Sequence, residues 1–350
     1  MLDSRSEVLY SICMIVPVFL PHLGCADRCI YCDQGCITDV HSQDVASLIV
    51  DTLGKITGKF EVGLFGGNIF NVEPSTLKTL FQYFDFFSEK ISNFRISTKP
   101  VPLNEETIQI LKENRVTIVE LGMPVFNDSM LKQLNRGYTV EDFYRAFYFL
   151  KKEGFHVAIQ VMAGLPDETM NDIMETARQI VELSPYYIRI YPLVVLKNTP
   201  LYRMYKNGLF IPIQFEEALE RVAYLYVKAL KHNIKTVKMG LTDNEFIKTR
   251  IAAGQFHPAF GYMVKSLLFY LAIKANIENE SIRGKIIVKL NSRDIPHLIG
   301  YKRANIEKFK EQDIDITWET EDIDQGSFIL CNNLKKVRGM IFDALPNFEK

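Results

Sequence analysis

The sequence predicts an α/β protein: an open (β/α)6 partial barrel, then a helical segment and a small α+β domain. Apolar strand-like runs alternate with helical periodicity between residues 8 and 195, which indicates βαβ units and a parallel sheet. Six such strands suit an open relative of the (β/α) barrel better than a closed eight-stranded one. After Pro200 the alternation gives way to long helical patterns and a final mixed unit.

The predicted strands are apolar runs rich in β-branched residues. They cover residues 8–20, 61–67, 94–100, 117–124, 156–166 and 186–195. The first run, VLYSICMIVPVFL, carries no charge, but no basic region precedes it and Pro17 interrupts it. We therefore interpret it as a buried strand and not as a signal peptide.

Helical periodicity fills the intervals between these strands. The predicted helices cover residues 75–91, 104–114, 140–154 and 170–183, with Asn104 opening the second and Gly154 ending the third. In barrels of this kind the chemistry lies at the carboxyl ends of the strands. We therefore expect the functional residues in the loops that follow the strands.

Length and composition allow two or three domains in a globular chain. We expect the barrel over 1–205, a helical extension over 206–280 with a possible strand at 234–241, and the α+β domain over 281–350. A net charge of −1 gives no global attraction to nucleic acid. No apolar run reaches the roughly 20 residues of a membrane span, and cysteines are few, so we expect a cytoplasmic protein without a membrane partner.

Four of the six cysteines lie in the string CADRCIYCDQGC at residues 25–36. A disulfide staple, a zinc site and an iron–sulfur cluster are the alternatives. A reducing compartment argues against the disulfide staple. A zinc site usually needs a second cysteine pair, which is missing, although His22 and His41 could complete one. Three thiolates in a short loop suit a four-iron cluster with one open iron. We interpret Cys36 as structural.

The string Cys25-Ala-Asp-Arg-Cys29-Ile-Tyr31-Cys32 resembles the CxxxCx(aromatic)C signature of the radical S-adenosylmethionine (SAM) superfamily. The wider sequence is similar to the branch that includes the radical SAM half of the Elongator catalytic subunit and oxygen-independent coproporphyrinogen oxidase. Further similar stretches are FGGNIF (65–70), RISTKP (95–100), VELG (119–122), NRGYT (135–139), QVMAGLPDET (160–169), RIYPLVVLKNT (189–199) and AGQFHPAFG (253–261).

This resemblance implies that Cys25, Cys29 and Cys32 bind a [4Fe–4S] cluster whose open iron binds SAM. A reductant such as flavodoxin or ferredoxin would supply the electron that cleaves SAM to a 5′-deoxyadenosyl radical. The residues implied to contact SAM are Tyr31, Gly66, Gly67, Glu120, Arg136, Gln160, Met162 and Arg189. Among them, Arg136 would pair with the SAM carboxylate, the Tyr31 backbone and Met162 would contact adenine, and Gln160 would reach the ribose. Glu120 and Arg189 could instead pair with one another.

Three motifs depart from this branch. Lys99 replaces an arginine in the third-strand motif, Gly122-Met123-Pro124-Val125 stands where the fourth-strand motif ends in Gln-Ser, and Tyr138 replaces a histidine. The cysteine pattern is untouched by these changes. They bear on turnover with the branch's usual substrate and not on the cluster.

Residues 284–319 predict the order strand, short helix, Gly300-Tyr301-Lys302-Arg303 loop, helix and strand. This order resembles a KH module, in which a GXXG loop between two helices clamps a nucleic-acid backbone. Arginine replaces the second glycine here. Residues 283–310 carry eight Lys/Arg, whereas 311–324 carry seven acids and no base, so the loop is locally basic. We expect Gly300, Lys302 and Arg303 to contact RNA.

The leading hypothesis is a radical SAM oxidoreductase or transferase that modifies RNA, with a tRNA base as the expected target. One alternative is a radical SAM enzyme that acts on a small molecule such as a tetrapyrrole. Another is an RNA-binding protein that keeps the cluster but has lost turnover, which the changes at Lys99, Pro124 and Tyr138 support.

Overall fold

The computed structural model describes residues 14–26, 28–33, 45–241 and 245–349, without the side chains of Glu245 and Phe246. The predictions made for residues 8–13, for Cys36 and for His41 fall outside this part of the chain. Among the described residues, no helix has the length and apolar character needed to cross a membrane.

Strands and helices alternate through the first half of the chain, as the sequence predicts. The strands are β1 (Met14–Phe19), β2 (Phe60–Phe65), β3 (Ile91–Thr98), β4 (Val116–Gly122), β5 (His156–Ala163), β6 (Ile188–Pro192), β7 (Val194–Leu196), β8 (Thr236–Met239), β9 (Ile251–Gly254), β10 (Lys285–Leu290), β11 (Asp315–Thr320), β12 (Ser327–Cys331) and β13 (Lys336–Met340). The helices are α1 (Val45–Leu53), α2 (Pro74–Gln82), α3 (Glu105–Glu113), α4 (Asp128–Gln133), α5 (Val140–Lys152), α6 (Met170–Leu183), α7 (Pro200–Lys206), α8 (Phe215–Lys231), α9 (Glu245–Arg250), α10 (Phe260–Asn279), α11 (Ile295–Ile299) and α12 (Ala304–Lys310).

The main sheet has the order β1-β2-β3-β4-β5-β6-β8, so its strands follow the chain apart from the short β7. This confirms the predicted α/β partial barrel and adds a seventh strand, β8, where the sequence suggested only a possible strand. By its contacts the chain divides into two compact units, one of residues 1–122 and 135–158, the other of residues 123–134 and 159–350. The domain boundaries expected from the sequence, at 205/206 and 280/281, stay a prediction.

In the first unit, β1 to β4 pair in parallel. Phe94 of β3 anchors the core, because its ring meets those of Phe81 and Phe84 edge-on at centroid distances of 5.3 and 5.1 Å. The predicted helix over 75–91 ends at Gln82 instead. A 3₁₀ turn follows at Asp85–Phe87, and β3 begins at Ile91, which pairs with Phe60 of β2.

In the second unit, β5 pairs with β6 and β6 with β8, all in parallel. Helix α8 is buried on most sides. It packs against α6, α10 and the C-terminal 3₁₀ turns at Ile341–Asn347. Apolar side chains therefore lie on more than one face of this helix, while Glu216 and Glu220 stay exposed.

The C-terminal part of this unit contains a four-stranded sheet of order β11-β10-β12-β13. Strands β10 and β11 are parallel, and α11 and α12 connect them, while β12 pairs antiparallel with β10 and β13. The predicted order of strand, helix, loop, helix and strand is therefore confirmed. Buried Ile286, Val288 and Leu290 place alternate residues of β10 in the core of this domain.

Candidate functional site

The cysteine loop begins where β1 ends and is held against the end of β2 by backbone hydrogen bonds. The amides of Leu20 and His22 donate to the carbonyls of Phe65 and Gly66 at 2.7 and 2.8 Å, and Asn68 donates to Leu23 at 2.7 Å. A Cβ on Gly67 would lie 2.5 Å from the Leu23 carbonyl oxygen. Gly67 is therefore required for the close approach of these two loops, whatever its role toward SAM.

Cys25, Cys29, Cys32 and Cys331 form no disulfide, so the disulfide alternative finds no support among the described cysteines. Cys29 is buried, whereas Cys25 and Cys32 are half-buried. Burial raises the pKa of the Cys25 thiol, and the nearby charges of Lys99, Arg136 and Arg28 oppose that rise. Cations beside a thiol favour the thiolate, which is the form that binds metal.

The donor chemistry of this loop fits an iron–sulfur cluster, since three cysteines outside any disulfide and three cations lie around one short segment. Yet no group of three or more His, Cys, Asp or Glu side chains in the described part of the chain is gathered closely enough to hold a metal ion. The three cysteines therefore match a cluster by residue type and spacing, not by preassembled geometry.

Arg136 lies directly behind Cys29. Its Nη1 donates to Cys29 Sγ at 3.1 Å and to the Tyr31 hydroxyl at 3.0 Å. Its Nε donates to the Tyr138 hydroxyl at 2.9 Å, and its Nη2 to the Gly122 carbonyl at 2.7 Å. These bonds to described residues use four of the five N–H donors of a guanidinium. Only a single-donor contact to the SAM carboxylate is compatible with this arrangement.

The two tyrosines beside Arg136 stay neutral. Burial raises the pKa of Tyr31 well above its usual value and that of Tyr138 to about 12, against the opposing effect of the Arg136 charge. The Tyr138 hydroxyl therefore keeps its proton and donates a hydrogen bond to the Gly122 carbonyl. Sequence comparison marked Tyr138 only as a departure from histidine; the structure shows a residue that connects Arg136 to β4.

The end of β5 forms a separate cluster of predicted residues in the second unit. Gln160 lies in register with Arg189 of β6, and Met162 with Tyr191. The amide of Met123 donates to the Gln160 carbonyl at 2.9 Å, and that of Met162 to the Pro124 carbonyl at 3.0 Å. The segment that departs from the branch at Pro124 is thus bound to β5 through its backbone. Contacts of Gln160, Met162, Arg189 or the buried Glu120 with SAM stay predictions.

Glu168 stabilises the loop that follows β5. Its Oε2 accepts from the Gly164 amide at 2.6 Å and from Arg221 Nη1 at 2.8 Å. Despite Arg221, burial raises the pKa of the Glu168 carboxyl to about 7. Sequence reasoning missed Arg221, although an arginine on a helix whose neighbours are apolar was a usable signal.

The Gly300–Arg303 loop connects α11 to α12 and presents its basic side chains to solvent. Lys302 and Arg303 both adopt left-handed backbone conformations, with φ of 51° and 66°. Asn305 holds the loop by donating to the carbonyls of Ser266 and His297 at 2.9 and 3.1 Å. Two consecutive non-glycine residues in this region cost backbone energy, and such strain concentrates at functional sites.

The chain belongs to the radical SAM superfamily. Residues 19–180 match the family described as the Radical SAM superfamily, and residues 185–269 match the Radical_SAM C-terminal domain, so together the two domains take up most of the chain.

Two curated relatives and one solved structure are similar to this chain. A tRNA uridine(34) acetyltransferase of Methanocaldococcus jannaschii is 34% identical over 132 residues, which are 37% of this chain and 24% of that protein. The heme chaperone HemW of Bacillus subtilis is 26% identical over 208 residues, 55% of either chain. The structure of Methanocaldococcus infernus Elp3 with an N-terminal deletion superposes with a TM-score of 0.55 at 22% identity, covering 77% of this chain and 63% of that one.

This chain therefore spans between about a quarter and somewhat over half of the curated relatives named above. The likeness to the Elp3 structure shows a shared fold and nothing finer.

Proposed function

We propose that this protein is a radical SAM enzyme whose Cys25, Cys29 and Cys32 hold a [4Fe–4S] cluster and whose substrate is an RNA. The observation that carries the first part is the set of three cysteines at C-x3-C-x2-C spacing outside any disulfide, with Arg136 bonded to Cys29. When bound, the cluster would supply one electron to SAM and so generate a 5′-deoxyadenosyl radical.

The chain's own residues would hold and shield these groups. Thiolates of the three cysteines are soft ligands suited to iron–sulfur clusters. The bonds from β2's end to the cysteine loop fix the backbone that carries them. Buried Cys29 lies where water is excluded, while half-buried Cys25 and Cys32 remain open to incoming iron. The SAM contacts proposed from the resemblance are Tyr31, Gly66, Gly67, Glu120, Arg136, Gln160, Met162 and Arg189.

The Gly300–Arg303 loop supports RNA as the substrate class. It exposes two cations on a turn between two short helices, which is how a KH-type loop meets a nucleic-acid backbone. The similarity to a tRNA uridine(34) acetyltransferase agrees with this choice, by analogy only. We propose a tRNA as the RNA, and a flavodoxin or ferredoxin as the reductant.

A small tetrapyrrole is the second candidate substrate, because the match to heme chaperone HemW covers more of this chain than the match to the acetyltransferase. In that case the C-terminal domain would be a structural cap. Heme binding by the purified protein, without affinity for RNA, would favour this candidate.

Anaerobic purification and reconstitution test the proposal. We expect about four irons and four sulfides per chain, as one cubane requires. Cys29→Ala should lose the cluster, whereas Cys36→Ala, the matched control, should keep it. Dithionite-reduced protein should release 5′-deoxyadenosine from SAM, and tRNA should co-purify. Zinc as the stoichiometric metal would contradict the cluster assignment. A reducible cluster that never cleaves SAM would favour the non-catalytic alternative.

A further inference from the structure

The hydrogen bond from Arg136 to Cys29 joins a buried guanidinium to a cysteine sulfur. It points a buried cation, 8% exposed, at the sulfur of one proposed cluster ligand. A guanidinium cannot lose its charge in a protein, so this hydrogen bond is charge-assisted under all working conditions. Protein atoms accept four of the hydrogen bonds that the Arg136 guanidinium can donate.

Hydrogen bonds and positive charge next to cluster sulfurs favour the reduced form, because reduction adds negative charge to the cluster and its ligands. The reduction potential of an iron–sulfur cluster therefore depends on such donors as well as on cluster type and solvent exposure. Cys29 is also the most buried of the three cysteines, with 6% of its surface exposed, so little water competes for its sulfur.

Tyr138 and Gly122 fix the guanidinium in this position. Arg136 donates to both the Tyr138 hydroxyl and the Gly122 carbonyl, and Tyr138 donates to the same carbonyl, which closes a ring of three bonds. A Cβ at Gly122 would come within 2.8 Å of Arg136 Nη2. Lys99 Nζ secures the other end of the residue by donating to the Arg136 carbonyl at 3.0 Å.

We propose that Arg136 raises the reduction potential of the cluster through its hydrogen bond to Cys29 Sγ, with Tyr138 as a positioning residue that holds the guanidinium. This inference rests on the proposed function, because it requires a cluster on Cys29. It assigns Arg136 a task separate from the SAM carboxylate and gives a reason for tyrosine at position 138.

The test is a potentiometric titration of the reconstituted full-length protein without SAM, followed by electron paramagnetic resonance of the reduced cluster. Leaving out SAM ensures that a lost carboxylate contact cannot cause the shift. At the wild-type midpoint potential, Arg136→Gln should show about a tenfold lower ratio of reduced to oxidised cluster, the effect of losing one charge-assisted hydrogen bond. Tyr138→Phe should also lower the reduction potential of the cluster, but by a smaller amount. Arg136→Lys keeps the positive charge but loses the planar guanidinium with its fixed donors. Its reduction potential should fall between those of Arg136→Gln and wild type.

Matched controls lie on α5. Arg145→Gln and Tyr148→Phe remove the same groups at positions where 67% of the Arg145 side chain and 58% of Tyr148 are exposed, and both should titrate like wild type. Full iron content with an unchanged potential in both Arg136→Gln and Tyr138→Phe would overturn the inference and leave the proposed function standing. If all Arg136 and Tyr138 variants lose iron while the controls keep it, Arg136 is a support for the loop and the inference is wrong. A wild type without iron would refute the proposed function itself.

Discussion

Two buried ion pairs join residues far apart along the chain. Arg95 Nη2 lies 2.6 Å from Glu61 Oε2, and both side chains are buried in neighbouring strands. Glu168 and Arg221 make a second such pair. Breaking a buried pair leaves an uncompensated charge, which costs more than the pair itself contributes. The charges were visible in the sequence, but the partners were not.

Glu168 should make stability depend on pH. Because its folded pKa of about 7 exceeds the ordinary 4.5, the folded state holds a proton that the unfolded state releases between those values. Its contribution to the unfolding free energy is therefore full below about pH 4.5 and is lost as pH rises through about 7. Relative to Glu168→Gln, wild type should lose on the order of 3 kcal/mol over this window.

Urea unfolding at pH values from 4.5 to 8, compared with Glu168→Gln, measures this change. Glu141→Gln is the control, since 72% of the Glu141 side chain is exposed. A difference between wild type and Glu168→Gln that stays flat or grows with pH would show that Arg221 keeps the carboxylate ionised.

At the scale of elements, local signals set some boundaries and tertiary contacts set others. Helices α5 and α6 begin where the sequence places them, because Thr139 and Thr169 form capping boxes with Asp142 and Asp172. In each capping box the threonine and the aspartate lie within four residues of one another along the chain. The predicted helix at 75–91 carries no such signal at its end, and in the structure it ends at Gln82, before the 3₁₀ turn at Asp85–Phe87.

Glycine is required at position 300 for two reasons: its positive φ and the lack of space for a side chain. Both Gly300 and Gly284 have positive φ, of 80° and 81°. A Cβ on Gly300 would lie 2.8 Å from Asn305 Cγ, whereas a Cβ on Gly284 meets nothing within 4 Å.

Alanine at Gly284 should therefore cost about 1 kcal/mol from backbone strain alone, and alanine at Gly300 about 1–3 kcal/mol more. Thermal unfolding of the two single variants measures the difference. Equal losses would mean that Asn305 yields without cost and that the loop is less rigid than its contacts indicate.

For the whole molecule, the proposed redox chemistry and RNA contact lie in different compact units, with Cys29 in the first and Lys302 in the second. The two activities should therefore separate by mutation. The pair Lys336 and Arg338 on β13 offers a control of identical composition, because both are exposed and carry the same charges as Lys302 and Arg303.

Changing Lys302 and Arg303 together to Glu should weaken tRNA binding at least tenfold at low salt, since phosphate contacts release counterions and respond steeply to charge. Iron content and RNA-independent SAM cleavage should be unchanged. Salt should weaken wild-type binding and have a smaller effect on the variant. Filter binding of both double variants checks this. If Lys336 and Arg338 prove equally sensitive, or the loop variant binds like wild type, the loop is not the RNA contact.

The sequence by itself determined the strand–helix alternation, the cysteine loop at the first strand end and the order of the C-terminal domain. Each is a local pattern: periodicity, spacing of a few residues, or turn chemistry. Only the tertiary structure decided that β8 joins the sheet, that α8 is buried on several sides, and that Arg136 meets Cys29. The last contact joins residues 107 positions apart. No local signal encodes such a distance, because it depends on how strands far apart in sequence align in register.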